Sequence, residues 1–493
     1  MRAPSATATA MLATLACVSC APEGRAPEML PGHSRPVLEH DWLHPDELEF
    51  EDSGFRAVDP GSARLTTPSG ARAYVIADPA DPLVTIVAAV PLGSHFEEDG
   101  EIGAAQAVSR GLDGTLRERL GPGLVASTAV SQERDVTVLS VEVMAEDWHA
   151  ALTAVVGTVR EPAPGASGGS AGRVGGRGGG GGRARAVAEL TTLVARHPIA
   201  PPDPEVRVRA DAVQALGRRA LRPAAVVFGV GGGVTRDEVE AALVELTAGW
   251  AADPGTGPVA AARPPTAAAA RTQPQPLHTI DRPGFMSWTA LGHAMPAISP
   301  EDEAAVAVLE EVVNIRLNIA TREIRGLTNR AMLVLPKATD GAGVLHVWTG
   351  SRAESVGPLI RYSVAELTRI RTAAGAPSRE ELDQAKGGLA LGRWQESLDG
   401  ARRTAATYAV ETVRRGSLDY LIAWPAAVLA VTAEEVTAAA VEYIDPGAMT
   451  AVVVGQIDDV RAARHPRWPV ALDEVPSQLR PMGRVSGQQY EEE

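Results

Sequence analysis

The chain has 493 residues, of which 45% are hydrophobic and 22% charged; this balance excludes wholesale disorder and a fibrous repeat. Lys+Arg number 46 against 61 Asp+Glu, a net charge of −15, which excludes a general nucleic-acid binder needing a basic face to displace phosphate counterions. The two cysteines, Cys17 and Cys20, both lie near the N-terminus, so the body has no disulfide framework, no thiolate catalysis and no Cys-based zinc site.

Residues 1–20, MRAPSATATAMLATLACVSC, read as a bacterial export signal. Arg2 is the positive region, and Ala10–Val18 is a short apolar stretch ending in small residues. Cys20 follows as a lipobox-like cysteine, although Cys17 stands where such motifs usually carry Leu. The expectation is lipidation at Cys20 and a cell-envelope or periplasmic protein held to the membrane, with plain secretion as the alternative. Residues 21–55 are then a Pro-, Glu- and His-containing tether. His33, His40 and His44 fall in this tether, where Pro36 and Pro45 oppose a metal-holding helix. No run of about 18 apolar residues suits a membrane-spanning helix in the mature chain.

Two strands are expected over 71–76 and 83–90, separated by Asp78-Pro79 and Asp81-Pro82. A helix over 103–117, a strand over 135–143 and a helix over 145–159 follow. Residues 162–182 are mostly Gly, Ser and Arg. Each glycine in a helix costs about 1 kcal/mol against Ala, so 172–182 should be a loop. The five glycines 178–182 lack the Gly-Lys-Ser/Thr of a P-loop. Helices are expected at 184–197 and 211–220, a strand at 224–230, a turn at Gly231–Gly233, and a helix capped by Thr235 and Glu238.

A similar order recurs. Thr432 and Glu435 cap a helix to Tyr443, Asp445-Pro446 stops it, and a strand runs over 448–454. Pro446 answers to Pro223, and the segment around residue 278 answers to that around residue 75. The chain therefore reads as two divergent copies of one unit. The expected fold class is α+β: two tandem homologous domains, 56–252 and 276–466, each an antiparallel-rich sheet packed with helices. Residues 253–275 join them, and 467–493 form a tail.

GARAYVIADPADPLVTIVAAVPLGSHFEEDGEIGAAQAV, RLNIATREIRGLTNR (316–330), LRPAAVVFGVGGGVTRDEVEAAL and YIDPGAMTAVVVGQID together resemble the pitrilysin/insulinase family of inverse zinc peptidases. The resemblance spans about residues 55–460 and implies that the two domains form a clamp. It places the family's H-x-x-E-H helix at Gln106, Ser109 and Arg110, and its distant ligand at Glu189. An amide, a hydroxyl and a permanent cation cannot replace two imidazoles and a general base. In the second domain, Arg322 matches a substrate-gripping Arg, and Asn329 takes the place of the Tyr seven residues on. No catalytic residue and no metal or other cofactor is thus expected, although zinc belongs to the family.

The resemblance implies a non-catalytic subunit that binds peptide substrate through Arg322 and Asn329 and completes a peptidase clamp with a zinc-bearing partner chain. Two alternatives stand beside it: a stand-alone cell-envelope peptide-binding or scaffold protein, and a zinc metallopeptidase with an unrecognised metal site. Nucleic acid is not expected as a partner. The scattered histidines of the body are expected to be structural, because no G-x-S-x-G nucleophile elbow accompanies them.

Overall fold

The run Leu83–Val90 is apolar at nearly every position, so both faces of the strand it forms must be covered. The computed structural model describes residues 55–98, 100–161, 181–194, 208–250 and 276–479. The expected leader with Cys20, the three tether histidines, the linker 253–275, glycines 178–180 and the last residues of the tail lie outside them.

The first sheet contains β1 (Arg64–Thr66), β2 (Arg72–Ala77), β3 (Leu83–Val90), β4 (Ala126–Gln132), β5 (Thr137–Met144) and β6 (Val227–Gly232), ordered β1-β2-β6-β3-β5-β4. The second contains β7 (Leu277–Asp281), β8 (Ser287–Met295), β9 (Thr328–Val334), β10 (Gly343–Ser351) and β11 (Thr450–Gly455), ordered β7-β11-β8-β10-β9. Leaving out β1, the two orders match strand for strand. Both contain one parallel pair, β2 with β6 and β7 with β11, among antiparallel neighbours. The fold is α+β, and the duplication read from the sequence is present in its topology.

One face of each sheet carries helices from its own half. On the first sheet these are α1 (Ala104–Leu120), α2 (Trp148–Arg160), α4 (Ala210–Ala220) and α5 (Arg236–Leu246). Val108, Leu112, Leu152, Val155, Leu216 and Leu243 meet Val84, Ile86 and Val141 in one buried cluster. On the second sheet, α6 (Glu303–Asn318), α7 (Val356–Arg369) and α11 (Ala433–Tyr443) bring Leu309, Val312, Ile360 and Val436 against Leu291, Val347 and Val453. Between α7 and α11 run α8 (Arg379–Gly387), α9 (Gly400–Arg415) and α10 (Asp419–Ala430). The capping boxes at Thr235/Glu238 and Thr432/Glu435 both form.

The opposite faces are covered by exchange. Helix α3 (Gly182–Val194), from the first half, lies on β8, β10 and β11 of the second sheet. Helix α9, from the second half, lies on β2, β3 and β6 of the first. By contacts, Arg56–Glu493 is accordingly one unit.

The exchange explains a departure from the sequence reading. Gly231 and Gly232 belong to β6 and are not a turn. A Cβ on Gly229 would overlap the Ala405 carbonyl oxygen, and one on Gly231 the Ala401 carbonyl oxygen. The glycines flatten the strand so that the α9 backbone can sit directly on it.

Candidate functional site

The residues that carry the family resemblance in the first half build the start of α1. Gly93 lies where a Cβ would overlap the Arg134 carbonyl oxygen. Gly103 precedes the helix in the left-handed region at φ 87°, a conformation that glycine adopts without steric cost. Glu97 reaches over this turn, and its Oε1 accepts the Ala105 N–H at 2.9 Å. Burial pushes the Glu97 carboxyl above its ordinary range, opposed by the Ala105 and Gly103 amides. Arg219 locks the loop from α4, donating to Glu101 at 3.0 and 2.6 Å and to the Phe96 carbonyl at 3.0 Å. Although burial opposes it, Arg219 holds the Glu101 carboxyl below its ordinary range. These contacts fix the position of the first turn of α1.

Helix α1 buries Ala105, Val108, Ser109, Leu112, Thr115 and Leu116, a stripe of helical spacing. Of the three positions that the resemblance singles out, Gln106 is half-buried, Ser109 is buried and Arg110 is exposed. The Gln106 Oε1 is buried without a hydrogen-bond partner, a state that costs about 1–3 kcal/mol. These side chains do not fit a zinc ion: the donors are a neutral amide and a hydroxyl, with a cation beside them. Glu189 sits on exchanged helix α3, over the second sheet, and pairs with Arg185 one turn earlier at 3.5 Å. Among the described residues, no group of three or more His, Cys, Asp or Glu stands together as a metal site would need.

Among the described residues, strand β4 lies at the edge of the first sheet, paired to β5 alone, and α1 packs beside it. Its residues alternate half-buried and exposed.

In the second half, α6 does not stop cleanly. Its last turn, Ile319–Glu323, widens into a π turn, and the Leu327 N–H then bonds the Thr321 carbonyl at 2.8 Å. Such widened turns frequently mark functional positions. Gly326, at φ 60°, reverses the chain into β9. Arg322 projects from the π turn with its side chain 58% exposed, paired to Glu323 at 3.4 Å. Asn329 is exposed near the start of β9. Ile319 and Ile324 are exposed on the same turn. The structure therefore puts Arg322 and Asn329 on one surface turn and its adjoining strand.

Two arginines of the same motif went unassigned in the sequence. Arg325 stacks over Tyr362 at 3.8 Å and donates to the Ala320 carbonyl at 2.9 Å. Arg316 is buried, forks onto both Glu381 oxygens at 2.7 Å, and donates to the Gly375 carbonyl at 2.8 Å. Its fork holds the Glu381 carboxyl low. One signal existed for Arg316: a cation inside the largely apolar stretch Val312–Leu317 needs a charge partner. Glu310, earlier on the same helix, is pushed up to about 7 by burial, opposed by the charge of Arg393.

No family model matches the chain, and no curated protein does. Solved structures do. The chain is similar to a peptidase M16 inactive domain from Pseudomonas fluorescens, with TM-score 0.60 and 19% identity over 82% of this chain and 98% of that one. A protease from Helicobacter pylori gives TM-score 0.61 at 15% identity over 80% and 98%. A chain of complex III2 from Candida albicans gives 0.62 at 10% identity over 85% and 99%. At these identities the likeness establishes the fold.

Proposed function

We propose that the chain is a non-catalytic relative of the insulinase-type zinc peptidases, which holds an extended peptide and completes a peptidase clamp with a zinc-bearing partner chain. The observation that carries this reading is α1. Its frame is built in full by Gly93, Glu97, Gly103 and Arg219, while the three positions that would need imidazole and carboxylate hold Gln106, Ser109 and Arg110. A scaffold kept in place around absent chemistry suits a binding role better than a lost enzyme. Strand β4 beside it offers unpaired backbone groups to an added strand. The likeness to a chain described as an inactive domain supports the same reading.

A second reading, a stand-alone envelope scaffold, is favoured by one observation: Arg322 is satisfied locally by Glu323. Both readings take the exported, Cys20-anchored form as the working form. The test is to purify residues 21–493, measure zinc by mass spectrometry, and assay a mixed peptide pool with and without a relative that carries H-x-x-E-H. The expected result is no stoichiometric zinc, no cleavage by the chain alone, and a stable complex whose turnover exceeds that of the relative alone. A stable single chain indifferent to the relative makes it a scaffold. About one zinc per chain with cleavage by the chain alone overturns both readings.

A further inference from the structure

Away from α1 and the Arg322 turn, a cavity of about 670 Å³ opens where α9 ends over the edge of the first sheet. Register explains its chemistry. In the antiparallel pair of β1 and β2, Arg64 faces Tyr74 and Thr66 faces Arg72. Side chains alternate along a strand, so Arg64, Arg72 and Tyr74 share one face. That is the face α9 covers, since Tyr74 packs edge-on against Tyr408 and its hydroxyl bonds Thr412 at 2.9 Å. Helix α9 stops at Gly416, which leaves the two guanidiniums in the cavity beyond its end.

Two like charges on a diagonal of one sheet face repel. Burial, partly offset by Tyr74, and then the charge of Arg64 push the Arg72 guanidinium below its ordinary value. Among the described residues neither arginine has an ion pair within 4.0 Å. Arg72 spends one donor on the Ala224 carbonyl at a long 3.5 Å. The Arg64 side chain has no hydrogen bond among the described residues. Two carboxylates also line the cavity. That of Asp59 is engaged by the Ser62 N–H at 2.8 Å. That of Asp419 stands in the first turn of α10, where the helix dipole stabilises it. Leu418 and Ile422 add apolar lining.

We propose that this cavity binds an oxyanion, carboxylate or phosphate, with its oxygens between Arg64 and Arg72 and a small apolar body against Leu418 and Ile422. A guanidinium fork matches the two oxygens of either group, and the bound anion removes the repulsion that the empty pair carries.

The full chain from residue 21 should be titrated by calorimetry with three probes: an N-acetylated Ala-Leu dipeptide acid, the same dipeptide as its amide, and inorganic phosphate. Binding of the acid with the amide at least tenfold weaker supports the site and makes a peptide terminus its source. Tighter binding of phosphate supports the site and makes a phosphorylated ligand its source. Arg64→Met and Arg72→Met should each weaken the better probe about ten- to a hundredfold, the loss expected for one charge-assisted contact. Arg64 lies on an exposed edge strand, so Arg64→Met decides the matter if Arg72→Met does not fold. The apo form of Arg64→Met should melt no lower than wild type. Heat from none of the probes, affinity unchanged in Arg64→Met, or an apo Arg64→Met that melts clearly lower overturns the proposal.

Discussion

The two exchanged helices occupy equivalent places and are held by different physics. Helix α9 meets its sheet backbone to backbone, over Gly229 and Gly231. It is also pinned along its length by polar links. Arg402 bonds Asp81 at 2.8 Å and Glu142 at 2.5 Å. Tyr408 reaches the Val58 carbonyl, and Arg414 meets Glu133 at 2.5 Å, Asp135 at 3.3 Å and Glu411 at 3.1 Å. Helix α3 has an apolar seat: Ala186 and Leu190 against Ala290, Val344, Val452 and Val454. Its polar attachment is the Arg183 guanidinium over Trp348, 4.5 Å from the ring centre. Ion pairs demand one geometry, whereas an apolar face tolerates sliding. A change at the seat of α9 is therefore expected to cost more stability than one at the seat of α3.

The sharpest way to break this contrast is to add one methyl group to each seat. Gly229→Ala places a Cβ against the Ala405 carbonyl, which is helix backbone and cannot rotate away. Overpacking of this kind costs about 1–3 kcal/mol and sometimes more, and the upper end is expected here. Gly182→Ala meets the Trp288 indole instead, a side chain that can swing. Its cost should be about 1 kcal/mol at most, since Ala also favours the helix. Urea melts of both variants compare them directly. Equal losses would mean that the two seats are alike.

Next in size is Arg414→Met. Its side chain is only 11% exposed, and removing it leaves Glu133, Asp135 and Glu411 facing one another. Deleting one partner of a buried pair typically costs about 3–5 kcal/mol. About 2–3 is expected, because Glu133 also keeps Lys337 at 2.6 Å. A loss near zero would make the polar pins of α9 ornamental.

Acid should act on the same side. Although burial opposes it, Lys337 and Arg414 hold the Glu133 carboxyl below its ordinary 4.5. A carboxyl depressed on folding contributes stability that is fully present above its unfolded pKa and lost as pH falls through the lower folded value. Wild type should therefore lose stability as pH drops below about 4.5, and Arg414→Met should lose less of it. Parallel acid titrations of the two proteins, followed by circular dichroism, check this. A steeper acid loss in the variant would reverse the sign of the argument.

How far the sequence foretold this molecule follows from where each signal sits. The duplication was legible because Pro223 and Pro446 punctuate the two copies at matching places and the apolar runs repeat. The expectation that Gln106, Ser109 and Arg110 offer no zinc ligands could be formed from sequence because the family's zinc chemistry is local to one helical turn. The exchange of α3 and α9 was not, since no residue in a helix states which sheet it will cover. Gly231 and Gly232 resembled a turn for the same reason, their role being set by Ala401 and Ala405 far along the chain. Arg316 and Arg325 stayed hidden because Glu381, Tyr362 and Trp468 reach them only through the fold.

The smallest expected stability effect is at Arg322, and its smallness is what makes the position informative. Arg322→Ala removes an exposed side chain whose partner, Glu323, is its sequence neighbour. Exposed pairs contribute about 0–1 kcal/mol, so the melting temperature should barely move. If the proposed peptide clamp is correct, the same variant mixed with a zinc-bearing relative should lose about ten- to a hundredfold in kcat/KM, the cost of one charge-assisted contact to substrate. Arg325→Ala makes the contrast, because it unstacks Tyr362 and Trp468 and should lower stability by about 1–2 kcal/mol. Asn329→Tyr should leave the chain alone inactive, since α1 still offers no zinc ligands, and should raise the turnover of the pair. A kcat/KM unchanged in Arg322→Ala, with the complex intact, would remove the π turn from substrate contact. The scaffold reading would then stand in its place, and Arg322 would be only a solvated partner of Glu323.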